Sequence, residues 1–268
     1  MSHLLQQGRL PHHAPRDYAK TPLNVYWEVT QACALACKHC RAEAMPLPNP
    51  GQLSYEEGVE LLHQIVEFGD PLPHLILTGG DPLAHPDLWE LMDVARGLGI
   101  GVSITPAATS ALTRDKLERL VEKGVEGLGL SLDGSTAERH DGIRGVPGTW
   151  ARTLQAMRWA QELGIPLQVN TLLCADTADD IPAIYELLRP LGVARWSLFF
   201  LISVGRGSVL EPLTPAEAER WMGWIQNIAS DAPFIVATTE APSYRRVAIE
   251  RMRAAGMTGE QMKQSGVA

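Results

Sequence analysis

The sequence predicts an α/β fold, a partial (β/α)6 barrel of the TIM type with parallel strands inside and helices outside. Strand-like and helix-like segments alternate six times along the chain, and most of the loops between them are short. Such alternation builds a parallel sheet with right-handed crossovers. Six units also suit a doubly wound open sheet. In either architecture the functional groups collect at the carboxyl ends of the strands.

Size and composition are those of a globular domain with a large core. The chain has 268 residues, of which 45% are hydrophobic and 20% charged, and its net charge is −8. This charge argues against an electrostatic grip on nucleic acid or anionic lipid. No apolar run approaches the roughly 18 residues that span a bilayer, and the start is too polar for a secretion signal. We therefore expect a protein that binds neither nucleic acid nor membrane. A cluster of thiols beside one solitary cysteine, without export signals, indicates the reducing cytoplasm.

Each predicted strand is a short, largely apolar run. The predicted strands cover residues 24–30, 74–78, 100–105, 127–132, 167–173 and 195–201. The first predicted helix begins after Ser54, which has Glu57 at the spacing of a capping box. The other helices are predicted at 86–98, 113–123, 149–163, 180–191 and 214–230. The last of these starts behind the cap and proline pair Thr214-Pro215.

The chain divides into three predicted regions. Residues 1–22 are expected to form an extended arm, 23–230 the barrel core, and 231–268 an extension that could begin a further domain. Within the extension, 233–239 could be another strand, 243–255 a helix, and a short helix could follow Thr258.

Three of the four cysteines lie close together directly after the first strand. Cys33, Cys37 and Cys40 have the spacing C-x3-C-x2-C, so their thiols can converge on one point. Four thiolates close a zinc site or fully ligate an iron–sulfur cube, whereas three leave one iron open. A structural zinc site completed by His39 or by a distant ligand is the alternative. Cys174 lies in a predicted buried strand and is interpreted as a core residue.

Polar and glycine motifs follow the later strands. Gly79-Gly80-Asp81-Pro82 follows strand two, Thr105 ends strand three, and Ser131 and Asp133 end strand four. Asn170 lies inside apolar strand five, where an unpaired amide would be costly. We expect these residues to share one rim with the cysteine loop, because parallel strands end at the same edge.

Two further segments are assigned to this rim. The polar, glycine-punctuated stretch Arg139–Gly145 is expected to be a loop above it. The substrate side is expected at strands five and six and the tail, with Phe199, Phe200, Ser203 and Arg206 as candidate lining residues.

The cysteine spacing after strand one, together with the glycine turn after strand two, resembles the radical S-adenosylmethionine (SAM) superfamily over residues 22–230. The resemblance implies a [4Fe–4S] cluster on Cys33, Cys37 and Cys40, with the amino and carboxylate groups of SAM on the fourth iron. It also implies reductive cleavage of SAM to a 5′-deoxyadenosyl radical, which abstracts hydrogen from a substrate.

The resemblance also implies roles for residues on the rim. Gly79–Pro82 resembles the family's GGEP turn, which binds the methionyl amino group, and His39 takes the place of an aromatic residue near adenine. The strand-end residues implied to contact the methionyl or ribose groups are Thr105, Ser131 and Asp133. Arg144 is the candidate for the SAM carboxylate, since a guanidinium matches a carboxylate in two-pronged fashion. The amide of Asn170 is satisfied by SAM or by a neighbouring strand.

Within the superfamily, Ser131–Gly134 and the His-Asp…Arg-Gly segment after it resemble the branch with a C-terminal SPASM-type domain, which includes peptide-modifying and haem-synthesis enzymes. The segments Gln31–Ala42 and Ile143–Gly148 resemble its haem-synthesis-like members more. SPASM domains bind extra clusters through many cysteines, but only Cys174 follows Cys40. We therefore expect one cluster, a peptide or tetrapyrrole-like substrate, and a flavodoxin or ferredoxin-type electron donor. A non-catalytic iron–sulfur or SAM-binding module and a structural zinc protein are the alternatives.

Overall fold

A computed structural model describes residues 16–41 and 44–264. Its centre is one sheet of seven parallel strands, each paired with its neighbours in the sequence. The strands are β1 (Asn24–Thr30), β2 (His74–Gly79), β3 (Val102–Ile104), β4 (Gly127–Ser131), β5 (Leu167–Leu173), β6 (Arg195–Phe200) and β7 (Ile235–Thr239). Over the described residues, no pairing returns from β7 to β1. The predicted partial barrel is therefore confirmed, with seven strands where six were expected.

Helices follow the strands in the predicted alternation. They are α1 (Tyr55–Val66), α2 (Leu88–Gly97), α3 (Arg114–Glu122), α4 (Ala137–Arg144), α5 (Thr149–Glu162), α6 (Ile181–Leu188), α7 (Pro215–Ala229), α8 (Tyr244–Ala254) and α9 (Gly259–Gln264). Short 3-10 helices cover Pro82–Ala84, Ala178–Asp180 and Gly205–Val209. The predicted capping box at Ser54 is present, and Thr214 forms a second one with Glu217.

The register of the sheet separates an apolar face from a polar one. Directly paired residues of parallel strands point to the same side of a sheet. One such row joins Leu77 of β2, Ile104 of β3 and Leu128 of β4, all fully buried in the main core. The alternate row pairs Ser131 with Asn170, and both line the cavity described below. The pleat thus turns these apolar side chains towards the helices and the polar pair towards the concave side of the sheet, where the cavity lies.

The expectation of a loop over Arg139–Gly145 is wrong, because this segment forms most of helix α4. Thr136 caps the helix by accepting a hydrogen bond from the amide of Arg139, and Gly145 ends it at φ 72°. Only His140 and Ile143 of this helix are buried. The sequence of this segment therefore lacks the row of apolar residues at helical spacing that would predict a helix.

The predicted boundary at residue 231 remains a prediction. Strand β7 lies beyond it and pairs with β6 in the same sheet. Residues 1–15 of the predicted arm lie outside the described residues. No helix in the described part of the chain is long and apolar enough to cross a membrane.

Candidate functional site

A cavity of about 350 Å³ lies at the carboxyl ends of the strands. Eleven of the thirteen predicted site residues line it, which places them on one rim as the strand order requires. They are Cys33, Cys37, His39, Cys40, Gly79, Gly80, Thr105, Ser131, Asp133, Arg144 and Asn170. Asp81 and Pro82 lie behind the wall.

Backbone hydrogen bonds hold the cysteine loop against two other segments. The amide of Cys33 donates to the Met45 carbonyl over 2.8 Å. The amides of Ala36 and Lys38 donate to the carbonyls of Arg144 and Ile143, at 3.2 and 2.9 Å. The carboxyl end of helix α4 therefore helps to hold the cysteine loop in place.

All three thiols of the loop are free and face the cavity. Amide N–H groups donate to two of the sulfurs, Leu35 to Cys33 at 3.4 Å and Ala44 to Cys40 at 3.5 Å. Burial raises the pKa of the Cys33 thiol to about 11. In the part of the chain that the structure describes, no three His, Cys, Asp or Glu side chains are grouped closely enough to hold a single metal ion.

The glycine turn after β2 lies against the start of the cysteine loop. The amides of Gly80 and Asp81 donate to the carbonyls of Thr30 and Ala32, each over 2.7 Å. A Cβ on Gly79, whose φ is 125°, would lie 2.4 Å from the Thr30 oxygen. A Cβ on Gly80 would lie 2.5 Å from that of Ala32. Both glycines are needed for this close approach of two backbones.

The side chain of Asp81 turns away from the cavity. It is 2% exposed. One carboxylate oxygen accepts from the amides of Leu83 and Ala107, and the other accepts from the Thr109 hydroxyl at 3.1 Å. Asp81 therefore ties the glycine turn to the loop after β3, and Pro82 begins the 3-10 helix that the aspartate caps.

Asp133 and Arg144 form a buried ion pair beside the cysteine loop. The Asp133 Oδ2 and Arg144 Nη2 atoms are 2.5 Å apart, and Asp133 Oδ1 accepts from the amide of Leu172 at 2.7 Å. Arg144 Nη1 also donates to Cys37 Sγ at 3.7 Å. Burial alone would raise the pKa of Asp133, but Arg144 and the neighbouring histidines outweigh it, so this pKa is lowered. Asp133 and Arg144, both predicted to contact SAM, thus contact each other.

His140 contacts the backbone of Asp133 in this pair. It is fully buried, and its Nδ1 accepts from the amide of Asp133 at 3.0 Å. A ring that accepts at Nδ1 carries its proton on Nε2 when neutral. Burial lowers the pKa of His140 to about 4, so the ring is neutral at pH 7.

The side chain of Asn170 has its hydrogen-bond partner in its own strand and not in a neighbouring one. Its Oδ1 accepts from Nε2 of Gln168, two residues earlier on the same face of β5, at 2.8 Å. Neighbours at i and i+2 share one face of a strand, so the sequence itself offered this partner. Thr105 and Ser131 line the cavity as half-buried hydroxyls.

Several buried polar atoms around the cavity lack a hydrogen-bond partner. They are His39 Nδ1, Arg144 Nε, Arg206 Nε and Arg206 Nη2. Buried polar groups in native proteins are nearly always satisfied, so the wall is suited to a ligand that brings acceptors for these arginine donors. Burial lowers the pKa of His39 to about 4, which leaves its ring neutral. The residues present therefore fit the carboxylate and other acceptor atoms of a ligand such as SAM.

The cavity also contains residues that the sequence reasoning missed. Glu28 and Arg41 form a loose ion pair at 3.9 Å on its wall. Glu240 lies just after β7 in a left-handed conformation, at φ 59°. The rule that residues after strand ends face the rim could have found Glu240. Of the expected substrate-side residues, Phe199, Phe200 and Arg206 line the cavity and Ser203 does not.

The fold and the site define a class of protein. Residues 27–188 match the family model described as the radical SAM superfamily, and this chain belongs to that superfamily of enzymes.

Particular relatives narrow the comparison. The chain is 36% identical to the AdoMet-dependent heme synthase of Oleidesulfovibrio alaskensis over 87% of its length. It is 34% identical to the Fe-coproporphyrin III synthase of Methanosarcina barkeri over 77%, and 32% identical to the PqqA peptide cyclase of Rhodopseudomonas palustris over 65%. The chain spans 60%, 48% and 45% of these three relatives.

A similar fold occurs in solved structures. The structure of Streptococcus suis SuiB bound to S-adenosylmethionine matches with a TM-score of 0.72 and 17% identity. The match covers 84% of this chain and 52% of SuiB.

Proposed function

We propose that this chain cleaves SAM reductively at a [4Fe–4S] cluster and directs the resulting radical to a tetrapyrrole-like substrate. The observation that carries the proposal is the meeting of three free thiols, the glycine turn and two arginines with unpartnered nitrogens around one cavity. When bound, the cluster would pass on an electron taken from an external donor, and SAM would supply a 5′-deoxyadenosyl group that removes hydrogen from the substrate.

Cys33, Cys37 and Cys40 are the residues we assign to the cluster. Three thiolates leave one iron free for another ligand. The donors around the loop favour anionic sulfur, because hydrogen bonds to thiolates stabilise them. The Leu35 and Ala44 amides and the Arg144 guanidinium provide such bonds.

The wall from β2 to β5 is the part we assign to SAM. Gly79 and Gly80 line the cavity at the end we assign to the methionyl group, and the unpartnered Nε of Arg144 suits a carboxylate. Thr105, Ser131 and Asn170 offer hydroxyl and amide groups to the remaining polar atoms, and the neutral ring of His39 offers a face to adenine. Asp133 holds Arg144 in place, so we assign it an indirect contribution to SAM binding.

A tetrapyrrole-like substrate is supported by the relatives with the higher identities, which are named for heme and Fe-coproporphyrin III synthesis. A peptide substrate, as in the PqqA peptide cyclase, is the second candidate. We further propose a flavodoxin or ferredoxin-type electron donor and the reducing cytoplasm as the setting, which suits a chain whose four cysteines are free.

Anaerobic reconstitution tests the proposal. We expect about four irons per chain, and 5′-deoxyadenosine on addition of dithionite and SAM. Cys33→Ala should abolish this product, whereas Cys174→Ala is the matched control because Cys174 lies outside the cavity. A folded Cys33→Ala protein that still cleaves SAM would contradict the proposal. A reconstituted wild-type protein that binds SAM without cleaving it would instead favour a non-catalytic module.

A further inference from the structure

Arg206 stands out among the cationic residues of the cavity. Arg41 faces Glu28 and Arg144 faces Asp133. Over residues 16–41 and 44–264, by contrast, Arg206 forms no ion pair, and its Nε and Nη2 atoms are buried without a hydrogen-bond partner. A buried donor left unsatisfied is costly, so this guanidinium is arranged for a group that comes from outside the chain.

The backbone around Arg206 is packed tightly against the cysteine loop. The amide of Arg206 donates to the Cys40 carbonyl at 3.3 Å. A Cβ on Gly205, whose φ is 54°, would lie 3.1 Å from the same carbonyl oxygen. Gly207 is buried, and a Cβ on it would lie 3.7 Å from the Cα of His39. The two glycines thus hold the arginine at a fixed place beside the third cysteine.

The segment that leads to Arg206 is mostly apolar, unlike the wall assigned to SAM. The end of β6 and the segment after it contribute Phe199, Phe200, Leu201, Ile202 and Val204 to the cavity. Ile202 and Val204 are 50% and 43% exposed, so this surface is open to a ligand. Glu240, which follows β7 and lines the same cavity, forms no ion pair with Arg206 within 4 Å.

We propose that Arg206 is a specificity residue that binds a carboxylate of the substrate, while the apolar end of β6 contacts the body of the same molecule. A planar guanidinium matches a carboxylate through two parallel hydrogen bonds. The substrate class is therefore an apolar body that carries at least one carboxylate. This inference rests on the proposed function, since it names the ligand of the same cavity.

Binding measurements on the reconstituted, unreduced protein test this assignment. The probes are Fe-coproporphyrin III, an apolar macrocycle with carboxylate side chains, and its methyl ester in the same detergent buffer. The wild type should bind the acid more tightly than the ester. Arg206→Gln should weaken binding of the acid about tenfold to a hundredfold and leave binding of the ester unchanged. Arg206→Lys should lie between the two, because lysine keeps the charge and loses the fork. Arg158→Gln, at an exposed position of α5, is the matched control.

Three results would overturn the assignment. Arg206→Gln could bind the acid as tightly as the wild type. The wild type could fail to bind the acid or show no preference for it over the ester. Arg206→Gln could lose affinity for SAM by the same factor, which would assign the residue to SAM. A failure of the proposed function is distinguishable, because wild-type protein would then form no 5′-deoxyadenosine whatever its porphyrin affinity.

Discussion

Asp133 connects three segments of the site at once. It faces Arg144 from α4, accepts from the amide of Leu172 in β5, and donates its own amide to His140. Its side chain is only 1% exposed and that of Arg144 11%. The removal of one partner from a buried ion pair leaves an uncompensated charge, which costs more than the pair itself contributes.

Asp133→Asn should therefore lower the free energy of unfolding by about 3–5 kcal/mol. The substitution keeps an oxygen for the Leu172 amide and removes only the charge opposite Arg144. Urea unfolding of the variant measures the change. Asp179→Asn is the control, because Asp179 pairs with Arg139 in solvent and should cost at most about 1 kcal/mol. Equal losses in the two variants would contradict a special role for the buried pair.

His140 should make the stability of the protein depend on pH. Its pKa is about 4 in the folded chain, against 6.5 for an ordinary histidine. Between these values the unfolded chain binds a proton that the folded chain does not, so the free energy of unfolding falls as the pH is lowered from 6.5 to 4. The loss should be on the order of 2–3 kcal/mol at the lower end. Urea unfolding across this range measures it.

His140→Asn provides the comparison for this pH effect. Asparagine can accept from the Asp133 amide and does not titrate. Its stability should vary less with pH than that of the wild type, with the remaining dependence coming from groups such as His39, whose pKa is also about 4. Parallel curves for the two proteins would show that His140 is not a source of the effect.

At the scale of elements, apolar periodicity was the reliable signal. Strand β5 begins and ends at the predicted residues. Helix α5 ends one residue earlier than predicted, and α7 is one residue shorter at each end. Helix α4 was missed because it packs only two side chains, His140 and Ile143, into the interior. Apolar residues at helical spacing cannot predict a helix that buries so little of its surface.

The location of the candidate site could be predicted from the sequence, but the contacts between its side chains could not. The strand-end rule located the rim residues because parallel strands end at one edge. The pairing of Asp133 with Arg144 depends on the turn of α4 back towards β4, and the loop prediction for that segment hid it. Arg206 was named as a lining residue, but its lack of a partner is a property of three-dimensional packing that no local pattern carries.

The contact between the glycine turn and the cysteine loop should be intolerant of a side chain. Gly80→Ala places a Cβ 2.5 Å from the Ala32 oxygen and 2.6 Å from that of Gln31. We expect a loss of about 1–3 kcal/mol in stability and lower iron content after reconstitution, measured by thermal melting and iron analysis. Gly97→Ala is the control, since a Cβ there meets nothing within 4 Å. Unchanged iron content in Gly80→Ala would show that the loop accommodates the shift.

At the scale of the whole molecule, the cavity draws its wall from the first strand to the last. Glu28 lies in β1 and Glu240 follows β7, and both line it. A ligand held between such distant strands stabilises the entire sheet, because only the folded chain presents all of its contacts.

SAM should accordingly raise the melting temperature of the reconstituted protein. At a hundred times its dissociation constant it would add about 2.7 kcal/mol, or roughly 5–10 °C for a domain of this size. 5′-Methylthioadenosine, which lacks the amino acid group, should give a smaller shift at the same concentration, since Gly79, Gly80 and Arg144 would lose their partner. Differential scanning fluorimetry under argon measures both. Equal shifts would argue against the assignment of these residues to the methionyl end.

The backbone bonds of the cysteine loop have a further consequence for how the protein matures. Cys33, Ala36 and Lys38 donate to Met45, Arg144 and Ile143 through protein groups alone. Small zinc domains differ, because they fold only when their ion binds. Hydrogen exchange should therefore find these three amides protected in iron-free protein, and rapid exchange there would contradict this. A loop built in this way is ready before iron and sulfide arrive, so their supply, and not refolding of the chain, would set the pace at which active protein accumulates.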